Sequence, residues 1–130
     1  FGPRQPPLLA TEDQRSQQTA LIGGFVAELL ALDPTARVIV LGDLNEHEFR
    51  GPLRVLEGAG LVNLMFSVPE ADRYSFNYRG NSQLLDHVLV SRSLYEEARP
   101  EVEILHINAD AAFDDRASDH DPVVVRLRLD

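Results

Sequence analysis

Val38-Ile39-Val40-Leu41 is a run of apolar, mostly β-branched residues held between Arg37 and the turn formers Gly42 and Asp43. A half-solvated strand alternates apolar and polar positions. This run does not alternate, so it reads as a strand buried on both faces. It also follows directly on a helical pattern. Leu21, Ile22, Phe25, Val26, Leu29 and Leu30 recur at helical spacing, which predicts a helix over 12–32 with one apolar face that packs on something. Thr11 is placed as its N-cap, with Glu12 and Asp13 at the positive helix end and Gln14 at the capping-box position; Asp33-Pro34 ends it. A long helix feeding a buried strand points to layered α/β structure.

The rest of the chain continues in short elements. Pro52 suits the first turn of a brief helix over 51–60, closed by Gly58 or Gly60. Residues 73–79 alternate in the strand manner, Gly80-Asn81 supplies a turn, and 84–91 reads as the returning strand, so the two are expected to form a hairpin. A helical turn over 91–98, a strand over 102–107 and a last strand over 123–129 follow, with an acid-rich loop at 110–121 before the last of them. Three prolines mark 1–10 as an extended linker, leaving 11–130 as the folded portion. With 130 residues, 44% of them hydrophobic, one domain is the default. No apolar run approaches the roughly 20 residues needed to cross a bilayer, so no membrane segment is expected.

Charge leans against one class of partner. Twelve basic and 21 acidic residues give a formal charge of −9, which opposes a sequence-independent grip on nucleic-acid phosphates. Carboxylates that serve a divalent cation would raise the acidic count. All the basic residues are Arg, the better bidentate phosphate clamp. The absence of Cys excludes a disulfide framework and a thiolate metal site. The first residues lack the features of a signal peptide and an initiator Met, which leaves the compartment open.

Three constellations carry chemistry. Gly42-Asp43-Leu44-Asn45 stands where a strand hands over to a loop, with Asp43 and Asn45 two apart and able to face one side. An ionised Asp can orient or deprotonate water, and an Asn can donate to a phosphate oxygen without adding negative charge; a plain turn has the same composition. In Leu85-Asp86-His87-Val88-Leu89-Val90, Asp86 interrupts an apolar strand, and a carboxylate there needs a partner. His87 points to the opposite face and reads as an ordinary, partly exposed strand histidine. In Ala117-Ser118-Asp119-His120-Asp121-Pro122, a cluster of acids and an imidazole leads into the last strand, and His suits proton transfer near neutral pH. A charged loop with Ser118 and Asp119 capping a turn is the simpler alternative, and it suits Asp121 best.

GDLN, LDHVLVS and SDHDPVVV, in that order and roughly 40 and 30 residues apart, resemble the three C-terminal motifs of the endonuclease/exonuclease/phosphatase superfamily. The surrounding text looks most like secreted bacterial nucleases of that superfamily and covers nearly the whole chain. The resemblance implies a DNase I-like α/β fold, of which this chain would be the C-terminal half of a four-layer α/β/β/α sandwich. It implies that Asp43 orients the attacking water, Asn45 hydrogen-bonds the scissile phosphate, Asp119 lies beside the metal or its waters, and His120 binds the phosphate or acts as the base while Asp86 holds the imidazole. Asn81 and Tyr78 on the hairpin join Asn45 as expected substrate contacts. Tyr74, Phe76 and Tyr78 could stack on bases or simply pack.

The implied reaction is hydrolysis of a nucleic-acid phosphodiester, DNA or RNA, of the endonuclease type, assisted by Mg²⁺ or by Mn²⁺ or Ca²⁺. Oxygen ligands suit such hard cations. The resemblance also implies a metal-binding Glu, an early Asn and a second His on a missing N-terminal half of the same domain, so this chain alone is expected to be inactive. It further implies an extracellular or periplasmic location. Two other readings compete: a lipid or inositol-phosphate phosphodiesterase or phosphatase of the same superfamily, and a non-catalytic acidic or calcium-binding module built on the 110–121 loop. That loop lacks the pattern of an EF-hand. A serine hydrolase on Ser118, Asp119 and His120 is weaker still, because adjacent residues cannot form the relay.

Overall fold

The computed structural model describes residues 11–129; the linker expected over 1–10 lies outside them. Helix α1 (Glu12–Leu32) leads to strand β1 (Ile39–Asp43), helix α2 (Gly51–Gly58) and strand β2 (Leu61–Asn63). Two 3₁₀ turns (Leu64–Ser67 and Glu70–Asp72) precede a hairpin of β3 (Phe76–Tyr78) and β4 (Asn81–Gln83). Strand β5 (Asp86–Ser91), helix α3 (Arg92–Ala98), strand β6 (Glu101–Ile104), a 3₁₀ turn (Phe113–Asp115) and strand β7 (Val123–Arg126) complete the order.

Strand β5 is the centre of a three-stranded antiparallel sheet, with β1 on one side and β2 on the other. Its alternation divides the chemistry. Leu89 faces a core shared with Val26 of α1 and Leu53 and Leu56 of α2, while Val88 and Val90 face a second core with Leu64, Leu94 and Ala98, against which Val123 and Val125 of β7 pack. The paired strands β6 and β7 therefore lie on the face of the sheet opposite α1 and α2. A third cluster of Met65, Val68, Leu84 and Ile104 ties the hairpin region to β6.

Several expectations need correction. The returning strand of the hairpin is not 84–91 but the short β4, whose Asn81 pairs with Tyr78. Strand β5 begins after Leu85 and joins β1 and β2 instead, where the centre of a sheet buries Val88, Leu89 and Val90 on both faces. Strand β1 is not covered on both faces. Among the described residues it is an edge strand, with Ile39 45% and Leu41 67% exposed.

The long helix forms where its spacing predicts, and Ile22, Val26 and Leu30 of the expected face pack, but the contact is centred on Thr19, Gly23 and Val26, leaving Leu21 and Phe25 in solvent. Gly23 explains the choice: a Cβ there would lie 3.3 Å from the Val55 side chain, so the missing side chain lets α1 and α2 approach closely. Thr11 is not a side-chain cap. Its backbone is left-handed with φ 67°, and its hydroxyl accepts a bond from Arg15 Nη1 at 2.7 Å.

Candidate active site

Asp43 ends β1 and Asp86 begins β5, and the two are directly paired in the antiparallel register. Like charges at paired positions repel, so this arrangement needs compensation. Asp43 receives two bonds from Asn45, from the backbone N–H at 2.8 Å and from Nδ2 at 3.1 Å. The turn that allows this uses Gly42 at φ 143° and Asn45 at φ 50°, backbone regions that few other residues tolerate. Asp86 receives the Ser75 hydroxyl and the His120 Nδ1–H on the same oxygen, each at 2.6 Å. One carboxylate oxygen each from Asp43 and Asp86 and one ring nitrogen of His120 lie within 4.8 Å of one another.

The elements that deliver these groups are fixed from behind. Glu46, one residue past Asn45, is almost fully buried, with its carboxylate 3.0 Å from Arg15 Nε of α1 and its carbonyl 2.8 Å from His87 Nε2. His87 is therefore not the partly exposed histidine expected. It is 1% exposed and donates from Nε2, while Nδ1 lies 3.4 Å from the Asn63 amide. Burial lowers its pKa below the usual imidazole value, against the smaller opposing effects of the Glu46 carbonyl and of nearby carboxylates. It serves as a neutral strut under the loop bearing Asn45.

His120 stands on the loop before β7, next to Phe76, whose ring centroid is 4.8 Å from the imidazole. Burial alone would lower its pKa, but the bond to Asp86 and the charges of Asp86, Asp43 and Asp119 outweigh that and raise it. With Nδ1 committed to Asp86, Nε2 is the nitrogen left for a substrate oxygen. Asp119, the expected metal neighbour, is exposed and falls outside the group formed by Asp43, Asp86 and His120. Tyr78 is 54% exposed, with Arg79 over its ring at 5.2 Å, and Asn81 is exposed opposite it. Phe76 lies between Tyr78 and His120, its ring 6.4 Å from the first.

Sequence reasoning missed Ser75, the fully buried residue whose hydroxyl holds Asp86. A small polar residue between the aromatic Tyr74 and Phe76, just before β3, was the available signal. It also missed Asn108 and His106 and read Asp121 as best suited to an ordinary charged loop. Asp121 is 3% exposed and accepts bonds from Asn108 N, Ala109 N and His106 Nδ1. Its burial would raise its pKa, and these bonds overcome that and lower it. Tyr74 stacks on His106 with ring centroids 4.0 Å apart. Desolvation, helped by its hydrogen bond to Asp110, pushes its phenol up to about 12.

Fold and site together define a mixed α/β chain that carries a carboxylate–imidazole cluster at the ends of its strands. The chain belongs to the endonuclease/exonuclease/phosphatase family, whose pattern matches residues 8–121. Among solved structures, a 3′-5′ exonuclease from Neisseria meningitidis aligns with a TM-score of 0.67 at 21% identity, covering 88% of this chain and 54% of that one. The likeness establishes a DNase I-like fold, and the chain spans about half the length of that structure. No curated protein matches the chain.

Proposed function

We propose that this chain is the C-terminal portion of a metal-dependent nuclease domain that hydrolyses phosphodiester bonds in nucleic acid, in the endonuclease manner. The observation that carries the reading is the convergence of Asp43, Asp86 and His120 from three separate segments. Asp43 orients the attacking water, and Asn45 donates to the scissile phosphate. His120 binds that phosphate through Nε2 and offsets its growing charge, with Asp86 keeping the ring in place.

The donor chemistry fits a hard divalent cation on this side of the site. Two paired carboxylates face each other across β1 and β5, and Asp119 stands exposed beside His120, whereas the imidazole is already committed to Asp86. Asp119 is the residue that would lie beside Mg²⁺, Mn²⁺ or Ca²⁺ or its waters, and the ion would polarise the phosphoryl oxygens. Tyr78 and Asn81 would contact the substrate strand beyond Phe76.

The remaining ligands belong, in this reading, to an N-terminal half that completes a four-layer α/β/β/α sandwich. The exposed apolar residues Ile39 and Leu41 support it, because they rim a concave face with Val123, Val125 and Leu127 that a second sheet would cover. An extracellular or periplasmic location goes with the resemblance to secreted nucleases. Among the described residues no helix is long and apolar enough to cross a membrane.

The test compares hydrolysis of plasmid DNA, RNA and sphingomyelin by the complete protein, with Mg²⁺ and with a chelator. Cleavage of nucleic acid that the chelator abolishes is expected. Activity confined to the lipid, or indifferent to the chelator, would overturn the proposal.

A further inference from the structure

Asp121 is a buried carboxylate that the proposed reaction does not use. Withdrawing a charge from water is costly unless hydrogen bonds replace the solvent, and Asp121 has three of them. Oδ1 accepts from Asn108 N at 2.8 Å and Ala109 N at 2.9 Å, and Oδ2 accepts from His106 Nδ1 at 2.9 Å. Beside it, Asn108 is 6% exposed and reaches in two directions. Its Nδ2 donates to the His120 carbonyl at 2.7 Å, and its Oδ1 accepts from Ala117 N at 3.2 Å. The Asp121 N–H in turn donates to the carbonyl of Ser75, the residue whose hydroxyl holds Asp86, at 2.7 Å.

The backbone is thus tied at Ala117, His120 and Asp121, on both sides of the Asp119-His120 pair. This segment lies between the 3₁₀ turn and β7, and among the described residues its sheet-type contact is a single bridge, from His120 to Phe76. An untied loop there would sample many conformations, and each bound substrate would have to order it. A short bond from His120 to Asp86 needs both partners held; beside the bridge to Phe76 and the Asp121–Ser75 backbone bond, the Asp121 and Asn108 side chains are what tie the far side of this segment.

We infer that Asp121 and Asn108 are positioning residues, a carboxylate–amide clamp that fixes the loop bearing His120 so that Nε2 is presented to the phosphate already in place. They do not touch substrate. The role rests on the reading of His120 as the phosphate-binding group.

Asp121→Ala and Asn108→Ala in the complete protein test it, beside Asp121→Asn, which keeps an oxygen for the two backbone N–H groups. On plasmid DNA, kcat of both alanine variants should fall about 10- to 100-fold with KM within about threefold, and Asp121→Asn should recover most of the loss. Alanine variants with wild-type kcat per folded molecule would overturn the clamp, as would equal damage in Asp121→Asn. Should Asp121→Ala fail to fold, Asn108→Ala still decides, because it leaves the Asp121 bonds to the backbone in place.

A second measurement separates this idea from the proposed activity. In the 130-residue chain, Asn108→Ala should make the amides of Ala117 and Asp121 exchange with solvent about tenfold faster while those of β5 stay unchanged. Unchanged exchange at both amides refutes the clamp whatever the complete protein hydrolyses. If the wild-type protein cleaves nothing but the amides respond, the activity reading fails and the clamp stands.

Discussion

The proton on His120 is set by its surroundings, and it decides what the site can do. Burial pulls its pKa down, but the bond to Asp86 and the neighbouring carboxylates raise it above the ordinary 6.5. The folded state therefore binds this proton more tightly than the unfolded chain. The stabilisation is fully present below 6.5 and is lost as pH rises through the raised folded value. Replacing Asp86 with Asn removes both the acceptor charge and its Coulomb pull, so the His120 pKa should fall when followed by NMR titration. An unchanged value would show that the 2.6 Å contact is not what sets it. In the complete protein, His120→Ala should reduce kcat by about 10²- to 10³-fold, the usual cost of deleting one preorganised donor to developing negative charge; wild-type turnover on plasmid DNA would exclude that role. Ser75→Ala takes a donor from Asp86 inside the protein and should cost about 1–3 kcal/mol of stability in denaturant unfolding.

At the scale of elements, the sequence spoke clearly where one local rule acted and poorly where two elements had to meet. The period of α1 and the stop at Asp33-Pro34 located the helix, since spacing and proline are local facts. Which face it buries depended on Gly23 opposite Val55, a contact that no pattern within α1 contains. Likewise Asp86 and His87 were correctly assigned to opposite faces by alternation, but the depth of His87 came from the loop at Glu46 folding over it. The catalytic candidates Asp43, Asp86 and His120 were legible as motifs, whereas Ser75, whose hydroxyl meets Asp86, and Asn108, whose amide meets the backbone at Ala117 and His120, belong to no motif.

Gly23→Val tests the close approach of α1 and α2. A side chain forced into this contact should destabilise the chain by about 1–3 kcal/mol, while Gly24→Val, where a Cβ meets nothing within 4 Å, should differ from it by lacking the clash. Equal losses in thermal unfolding would place the cost in helix propensity instead. His87 gives a pH test of opposite sign to His120. Burial lowers its pKa, so the unfolded chain takes up a proton that the folded one resists, and stability falls as pH drops from 6.5 toward the folded value. His87→Gln should flatten this acid limb of the stability curve, and an unaltered slope would assign the limb to other groups.

At the scale of the whole molecule, the described residues pack a core on each face of the central sheet but leave apolar surface uncovered where β1 forms an edge. Leu41 is 67% exposed and sits beside Ile39 on the rim of the concave face completed by Val123, Val125 and Leu127. Exposed apolar area of this kind is a drive toward association unless something covers it. The net charge of −9 opposes close approach of two copies, so the balance should shift with ionic strength, salt screening the repulsion while leaving the apolar attraction intact. The 130-residue chain should therefore show concentration-dependent association in sedimentation velocity that grows with added NaCl. Leu41→Asp should suppress it with little loss of thermal stability, because that side chain contributes little to the folded core in the isolated chain. A wild-type chain that sediments as a monomer at every concentration and salt tested would mean that the face is stable in water, which would remove the main structural support for a second half packed against it.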